Sequence, residues 1–209
     1  AKKCTAIALK TRVYLVQANY QKVIAESQKI VSPSAPFQYS QGTLTHKLES
    51  NFGTIFGGSY TGSEAIFSIP FANSTTETPS SQSALAFNYL AQPILFLTTA
   101  GISSDPALNS SSDARSSLIS TNSAKQKVLR KFSITTAPFR DYVPVIRYAE
   151  ILLNYAEAAA NANDLATATS LLKAVRNRSD AAYVFPDTDI NTKDALIKTI
   201  LTERRIEFL

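Results

Sequence analysis

The chain has 209 residues, 44% of them hydrophobic and 18% charged, with six glycines, nine prolines and a net charge of +5. That composition can fill the core of one domain, or one and a half, and it excludes a disordered, fibrous or linker-like chain. No apolar run reaches the roughly 18 residues that a membrane-spanning helix needs, and the longest candidate, Ala91 to Gly101, is broken by Pro93 and two threonines.

Residues 5–31 read as a helical hairpin. Ile7, Thr11, Tyr14 and Leu15 recur at helical spacing, Ala18-Asn19-Tyr20 interrupts, and Val23, Ile24, Ser27, Ile30 and Val31 resume the stripe until Pro33 and Pro36 stop it. The first unit is therefore taken as 1–31.

Residues 32–143 are of another kind, an irregular, loop-rich insertion. Thr54 to Gly62 is glycine-rich and turn-like, and Glu64 to Ile69 has the pattern of a short strand ended by Pro70. Asn73 to Ser83 and Ser103 to Ser123 are rich in Ser, Thr and Asn and read as surface loops. Phe87-Asn88-Tyr89-Leu90 and Ile94-Leu95-Phe96-Leu97 are apolar islands between them. So long a loop region inside a compact chain is usually functional.

Residues 144–178 repeat the hairpin. Leu152, Tyr155, Ala156 and Ala159 line one helix, Asn161 to Asp164 makes the turn with Asp164 as N-cap, and Leu165, Ala168, Leu172 and Val175 line the next. The two hairpins superimpose at a constant offset, with Ile7 on Leu152, Thr11 on Ala156, Tyr20 on Leu165 and Ile30 on Val175. This is the tetratricopeptide pattern. A last helix over 190–209 carries Leu196, Ile197, Ile200, Leu201 and Ile206 on its apolar face. The expected class is all-α, mostly helical, with tetratricopeptide-like hairpins around the insertion.

Little here suggests catalysis, metal binding or nucleic-acid binding. The basic residues are scattered, with only short groups at Lys125, Lys127, Arg130 and Lys131 and at Arg176 and Arg178, so no nucleic-acid partner is expected. Cys4 is the only cysteine and reads as a buried thiol; His46 is the only histidine and reads as a surface residue. No metal site, cofactor or His-centred triad is expected from them. Glu150 and Glu157 share a helix face as a glycosidase pair might be imagined to, but with Arg147, Arg204 and Arg205 nearby they read as structural charges. Asp113 and Arg115 read as an Asx-turn with a local salt bridge.

Several segments resemble the SusD/RagB family. Pro144-Val145-Ile146-Arg147-Tyr148-Ala149-Glu150-Ile151-Leu152-Leu153-Asn154-Tyr155-Ala156-Glu157-Ala158 follows a signature helix of that family, although Asn154 stands where Met is frequent. Val175-Arg176-Asn177-Arg178, Glu203-Arg204-Arg205-Ile206-Glu207-Phe208, Ser63-Glu64-Ala65-Ile66-Phe67 and Asp113-Ala114-Arg115 match further motifs in the family's order. The resemblance implies a non-enzymatic, lipid-anchored protein of the outer membrane, facing the cell surface. Such a protein binds polysaccharide or oligosaccharide and delivers it to a TonB-dependent SusC-like transporter. It also implies that residues 1–209 form a single domain, incomplete at both ends, covering most of the C-terminal half, with the N-terminal lipid anchor outside it. The alternative is a peptide- or protein-binding scaffold built on the tetratricopeptide-like hairpins.

Sugar capture needs aromatic faces with hydrogen-bonding groups beside them. Among the aromatic residues of the insertion, Phe67, Phe96 and Phe132 are expected in the core. Tyr60, next to the glycine-rich turn, and Asn88 with Tyr89 are the expected ligand-binding residues.

Overall fold

The computed structural model describes residues 2–57, 59–71 and 83–209. Gly58 and most of the Ser/Thr/Asn-rich stretch expected from Asn73 to Ser83 lie outside the described residues. The chain is mostly helical. Helices α1 (Lys2–Val16) and α2 (Tyr20–Ser27) form the first hairpin, and α5 (Tyr148–Asn161) and α6 (Leu165–Ser179) the second. Between them lie the short helices α3 (Thr54–Gly57) and α4 (Pro106–Asn109) and three two-stranded antiparallel ribbons. The ribbons pair β1 (Gln38–Gln41) with β2 (Leu44–Lys47), β3 (Ala65–Ile69) with β6 (Val143–Arg147), and β4 (Ile119–Thr121) with β5 (Lys127–Leu129). Short α7 (Asp187–Ile190) leads into α8 (Lys193–Glu207), N-capped by Thr192.

The internal repeat extends to the turn geometry. Ala18 and Asn163 occupy equivalent positions and both adopt left-handed backbone, with φ of 52° and 65°. Asn19 and Asp164 follow as N-caps, accepting from the amides of Lys22 and Thr167. In each turn the cap's own amide donates five residues back, Asn19 to Tyr14 and Asp164 to Ala159. The two turns differ in one respect: the second uses Asn, which tolerates this conformation, and the first uses Ala, whose Cβ crowds the backbone there.

Helix α5 is the axis of the core. It packs against α1, α2, α6 and α8, and every residue from Tyr148 to Ala160 except Glu157 is buried. Its alanines at 156 and 158–160 let neighbouring helices approach closely. The polar groups it buries are matched: the Asn154 amide donates to Thr11 Oγ1 (3.1 Å) and its carbonyl accepts from Arg204 (2.6 Å), while the Tyr148 hydroxyl donates to the Ile30 carbonyl (2.9 Å). Glu150 pairs not with Arg147 but with Arg12, which grips it with two donors at 2.7 Å. Glu157 lies 3.8 Å from Arg204.

Three expectations are corrected. Val143–Arg147 is a strand, not the first turn of a helix, because Pro144 lacks a donor and the β-branched Val143, Val145 and Ile146 pair with β3. Phe67 and Phe96 are exposed; β3 alternates, turning Ile66 into the core and Phe67 outward. The segment Ser103–Ser123 is not merely surface, since Ser103, Leu108, Asp113, Arg115 and Leu118 are buried within it.

Asp113 and Arg115 do form the local pair, but at full burial and as part of something larger. Four arginines meet four carboxylates in the interior. Arg115 grips Asp113 with two donors (2.7 and 2.9 Å) and reaches Glu203 (2.5 Å) and Glu207 (3.1 Å). Arg147 bonds Glu64 (2.8 Å) and Glu207 (2.6 Å), and Arg178 bonds the same two carboxylates at 2.8 and 2.6 Å. Arg176 closes the ring between Asp113 (3.0 Å) and Glu203 (2.9 Å). Phe52 lies over the Arg178 guanidinium, 4.6 Å away, and Tyr183 over that of Arg176, 4.3 Å away. The α8 glutamates point inward together because they are four residues apart.

Burial alone would raise Glu207, but the guanidiniums of Arg178, Arg147 and Arg115 outweigh it and hold it at about 2. Asp113 is likewise kept below the usual carboxylate range, burial being overcome by Arg115 and Arg176. For Glu203 burial wins over the same two arginines and the pKa rises.

Two predictions follow from this packing. Ala18→Asn raises stability by roughly 0.5–1 kcal/mol in urea unfolding, because it relieves the left-handed alanine. Glu207→Gln, which leaves three guanidiniums under-compensated, lowers it by about 3–5 kcal/mol at neutral pH. Glu207 and Asp113 have depressed folded pKa values, so their contribution is full above the unfolded carboxylate value of about 4 and is lost as pH falls toward 2. Glu203 partly opposes this. The acid loss of stability is correspondingly shallower in Glu207→Gln than in the parent, measured by urea midpoints at stepped pH.

Candidate ligand site

The insertion presents its aromatic residues on a supported surface. Phe52, Ile55, Phe56, Leu118 and Leu129 form a small core of their own, with Phe52 and Phe56 edge to face at 5.6 Å. This core backs two of the residues singled out from the sequence. Tyr89 packs directly against it and tilts over Phe132, with ring centroids 6.1 Å apart. Tyr60 meets it through Tyr142, an edge contact at 6.5 Å, and the Tyr142 hydroxyl donates to the Ile55 carbonyl. Tyr60 is 48% exposed, and its sequence neighbours Ser59 and Thr61 bond each other through their hydroxyls, 2.8 Å apart.

Asn88 and Tyr89 sit in a π-helical turn, Phe87–Ala91, closed by the Gln92 amide donating to the Phe87 carbonyl. Such turns often occur at functional sites. The Asn88 side-chain amide donates to the Ala84 carbonyl (3.0 Å), so its donor side serves the turn itself. The Asn88 backbone carbonyl accepts from Ile94, which holds the exposed run Ile94-Leu95-Phe96 next to the turn. Tyr60 on one side and the Asn88–Tyr89 turn on the other thus share a common aromatic support, although they are more than 25 residues apart in sequence.

Sequence patterns had not pointed to a groove of about 510 Å³ at whose mouth Tyr60 stands. Its walls are Thr5, Ala6 and Leu9 of α1, Leu44 to His46 of β2, and Ala65 to Ser68 of β3. The alternation along β3, which turns Phe67 outward, was the one signal that could have found it. His46 is here, and it is not a surface residue. It is 3% exposed, stacked between Tyr39 and Tyr148 with centroids 6.5 and 6.4 Å away, and its Nδ1 lies 3.2 Å from the Ser63 carbonyl. A histidine flanked by a polar sequence is buried because the β1–β2 ribbon folds it onto α5. Burial lowers its pKa, with the Ser63 carbonyl opposing.

Among the described residues no group of three or more His, Cys, Asp or Glu could hold a metal ion, and no helix is long and apolar enough to cross a membrane. The buried arginines and carboxylates pair chiefly with one another, and Arg176 and Glu203 also line a cavity of about 320 Å³ beside Tyr183 and Phe185. The exposed aromatic rings are Tyr60, Phe67 and Phe96 among the described residues.

The chain belongs to the SusD family, whose model matches residues 105–209. A SusD superfamily protein from Bacteroides fragilis is 34% identical, with a TM-score of 0.79, over 99% of this chain and 44% of its own. Another from Bacteroides thetaiotaomicron is 21% identical, with a TM-score of 0.74, over 97% of this chain and 46% of its own. A protein described as a laminarin-binding SusD-like protein is 21% identical, with a TM-score of 0.68, over 98% of this chain and 51% of its own. The chain thus spans about half the length of these relatives. No functionally curated protein matches it.

The burial of His46 makes a specific prediction. Its folded pKa is depressed, so the stability of holding it neutral is present above the unfolded value of about 6.5 and is lost as pH falls through the folded value. His46 is the chain's only histidine, and it shares the upper end of this window with Lys131, which burial lowers to about 7. The change in urea midpoint between pH 7 and 5 should differ between the parent and His46→Phe, which keeps the stack, with the parent losing more stability as the pH falls.

Proposed function

We propose that this protein captures glycans at the cell surface and delivers them to a TonB-dependent SusC-like transporter in the outer membrane. A lipid anchor outside these 209 residues holds it there. Membership of the SusD family supports the reading, as does the laminarin-binding description of one structural relative. In this reading the protein is a binder rather than an enzyme, which its membership of the SusD family supports.

The observation that carries the proposal is the presentation of Tyr60. An exposed ring already held in place by Tyr142, with the paired hydroxyls of Ser59 and Thr61 next to it in sequence, suits the flat C–H face of a sugar ring. Stacking on a pre-positioned ring loses little conformational entropy on binding. Tyr89 supplies a second platform in this proposal, with Asn88 beside it. The ion-locked helices behind them keep the geometry fixed, which is what loops displayed on a rigid frame need in order to select a ligand. The transporter is assigned to the helical side, opposite the insertion.

Affinity electrophoresis of the full-length protein, freed of its anchor, through gels containing plant, host and microbial polysaccharides tests this. One polysaccharide class should retard it. Tyr60→Ala should then weaken binding about tenfold, the equivalent of one stacking platform at roughly 1.4 kcal/mol. Tyr89→Ala should also weaken it, and both variants should still unfold cooperatively, with Tyr89→Ala losing some stability because its ring packs on the Phe52–Phe56 core. A folded protein that no polysaccharide retards would sink the glycan reading in favour of a peptide ligand.

A further inference from the structure

Sugar stacking gives no part to three cations that stand beside the aromatic site. Lys125 is at the β4–β5 turn, in left-handed backbone with φ of 64°, Lys127 opens β5, and Arg130 follows its end. Lys125 and Arg130 are exposed. The strand lies against the turn that carries Asn88 and Tyr89. The Leu97 amide donates to the Lys127 carbonyl (2.9 Å), and Phe132, two residues beyond Arg130, is the ring over which Tyr89 tilts. Lys131 differs from these three. Its ammonium lies over Phe56, 4.6 Å from the ring centroid, and donates to the Leu209 carbonyl, so it belongs to the support.

Three observations give these cations a ligand. Among the described residues, none of the three pairs with a carboxylate. The Lys127 ammonium is held by neutral acceptors, the Ser103 carbonyl (2.9 Å) and Asn109 Oδ1 (3.3 Å), which fix its position and leave its charge and one of its three donors unspent. The carboxylates of residues 84–142 are engaged elsewhere. Asp113 is gripped by Arg115 and Arg176, Asp141 is buried and accepts from the Ser133 and Ile134 amides (3.1 and 3.0 Å), and Asp105 caps α4. The cations are also spread along the chain. Five residues at roughly 3.3 Å each reach up to about 16 Å, which suits a polymer charged on successive units better than one small anion. We propose, on the glycan reading of this site, that the ligand is an acidic polysaccharide. Its rings stack at Tyr89, and its carboxylate or sulfate groups meet Lys125, Lys127 and Arg130, whose planar fork suits either group.

Affinity electrophoresis of the full-length protein, freed of its anchor, tests this with four polymers: polygalacturonate for carboxylate, carrageenan for sulfate, neutral laminarin, and polyglutamate as an acidic polymer without sugar. Polygalacturonate or carrageenan should retard the protein more than laminarin does, and which of them does so identifies the acid group. The retardation should fade as NaCl rises from about 0.05 to 0.5 M. The double variant Lys125→Gln, Arg130→Gln changes two exposed side chains, so it should keep the parent's unfolding midpoint and bind the acidic polysaccharide about tenfold more weakly. Retardation by laminarin alone overturns the inference and leaves the glycan reading standing, whereas retardation by none of the four overturns both. Polyglutamate binding as strongly as the acidic sugars overturns it by reducing the effect to general charge attraction. Undiminished retardation of the double variant overturns it by placing the acidic groups elsewhere.

Discussion

Eight buried charges hold this fold in one arrangement. Arg115, Arg147, Arg176 and Arg178 meet Asp113, Glu64, Glu203 and Glu207 in a charge-balanced cluster of two four-membered rings joined through Arg115 and Glu207. Its members come from the insertion, from the end of β6, from α6 and from α8, so every major segment after the first hairpin contributes. Such a cluster adds little net stability over a well-packed apolar core, because desolvation offsets attraction. Its effect is on uniqueness: each guanidinium has a fixed fork of donors, and one missing carboxylate leaves a buried charge uncompensated.

The cluster also gives a physical meaning to the motifs by which the family is recognised. Ser63-Glu64, Asp113-Ala114-Arg115, Arg147 before the α5 helix, Val175-Arg176-Asn177-Arg178 and Glu203-Arg204-Arg205-Ile206-Glu207 lie far apart in sequence, and each delivers its charge to the same interior point. These residues are occupied by one another. The motifs therefore specify the scaffold.

Around this lock, α5 serves as the common partner for both hairpins and for α8. Its alanines set the close helix spacing, and its buried Asn154 and Glu150 fix the first hairpin through Thr11 and Arg12. A frame this constrained lets the insertion be irregular without being undefined: the ribbon that buries His46, the π-helical turn at Asn88 and the edge contact beneath Tyr60 all lean on fixed elements.

The sequence by itself determined the parts governed by local periodicity. Both hairpins, their turn positions, the Asp164 cap, the strand ended by Pro70 and the last helix follow from residue spacing, because helices and turns are specified by neighbours within a few positions. Tyr60 was legible as an exposed ring because it flanks a glycine-rich turn. What only the tertiary structure decided depends on pairings across the chain. Val143–Arg147 became a strand because β3 was there to pair with it. Glu150 found Arg12 rather than Arg147 because hairpin packing sets which charges meet. His46 was buried and Phe67 exposed because a two-stranded ribbon buries whichever face its partner covers. The ion cluster was invisible for the same reason: eight residues from five separate segments carry no local signal of one another, and burial in a common interior is what makes them partners.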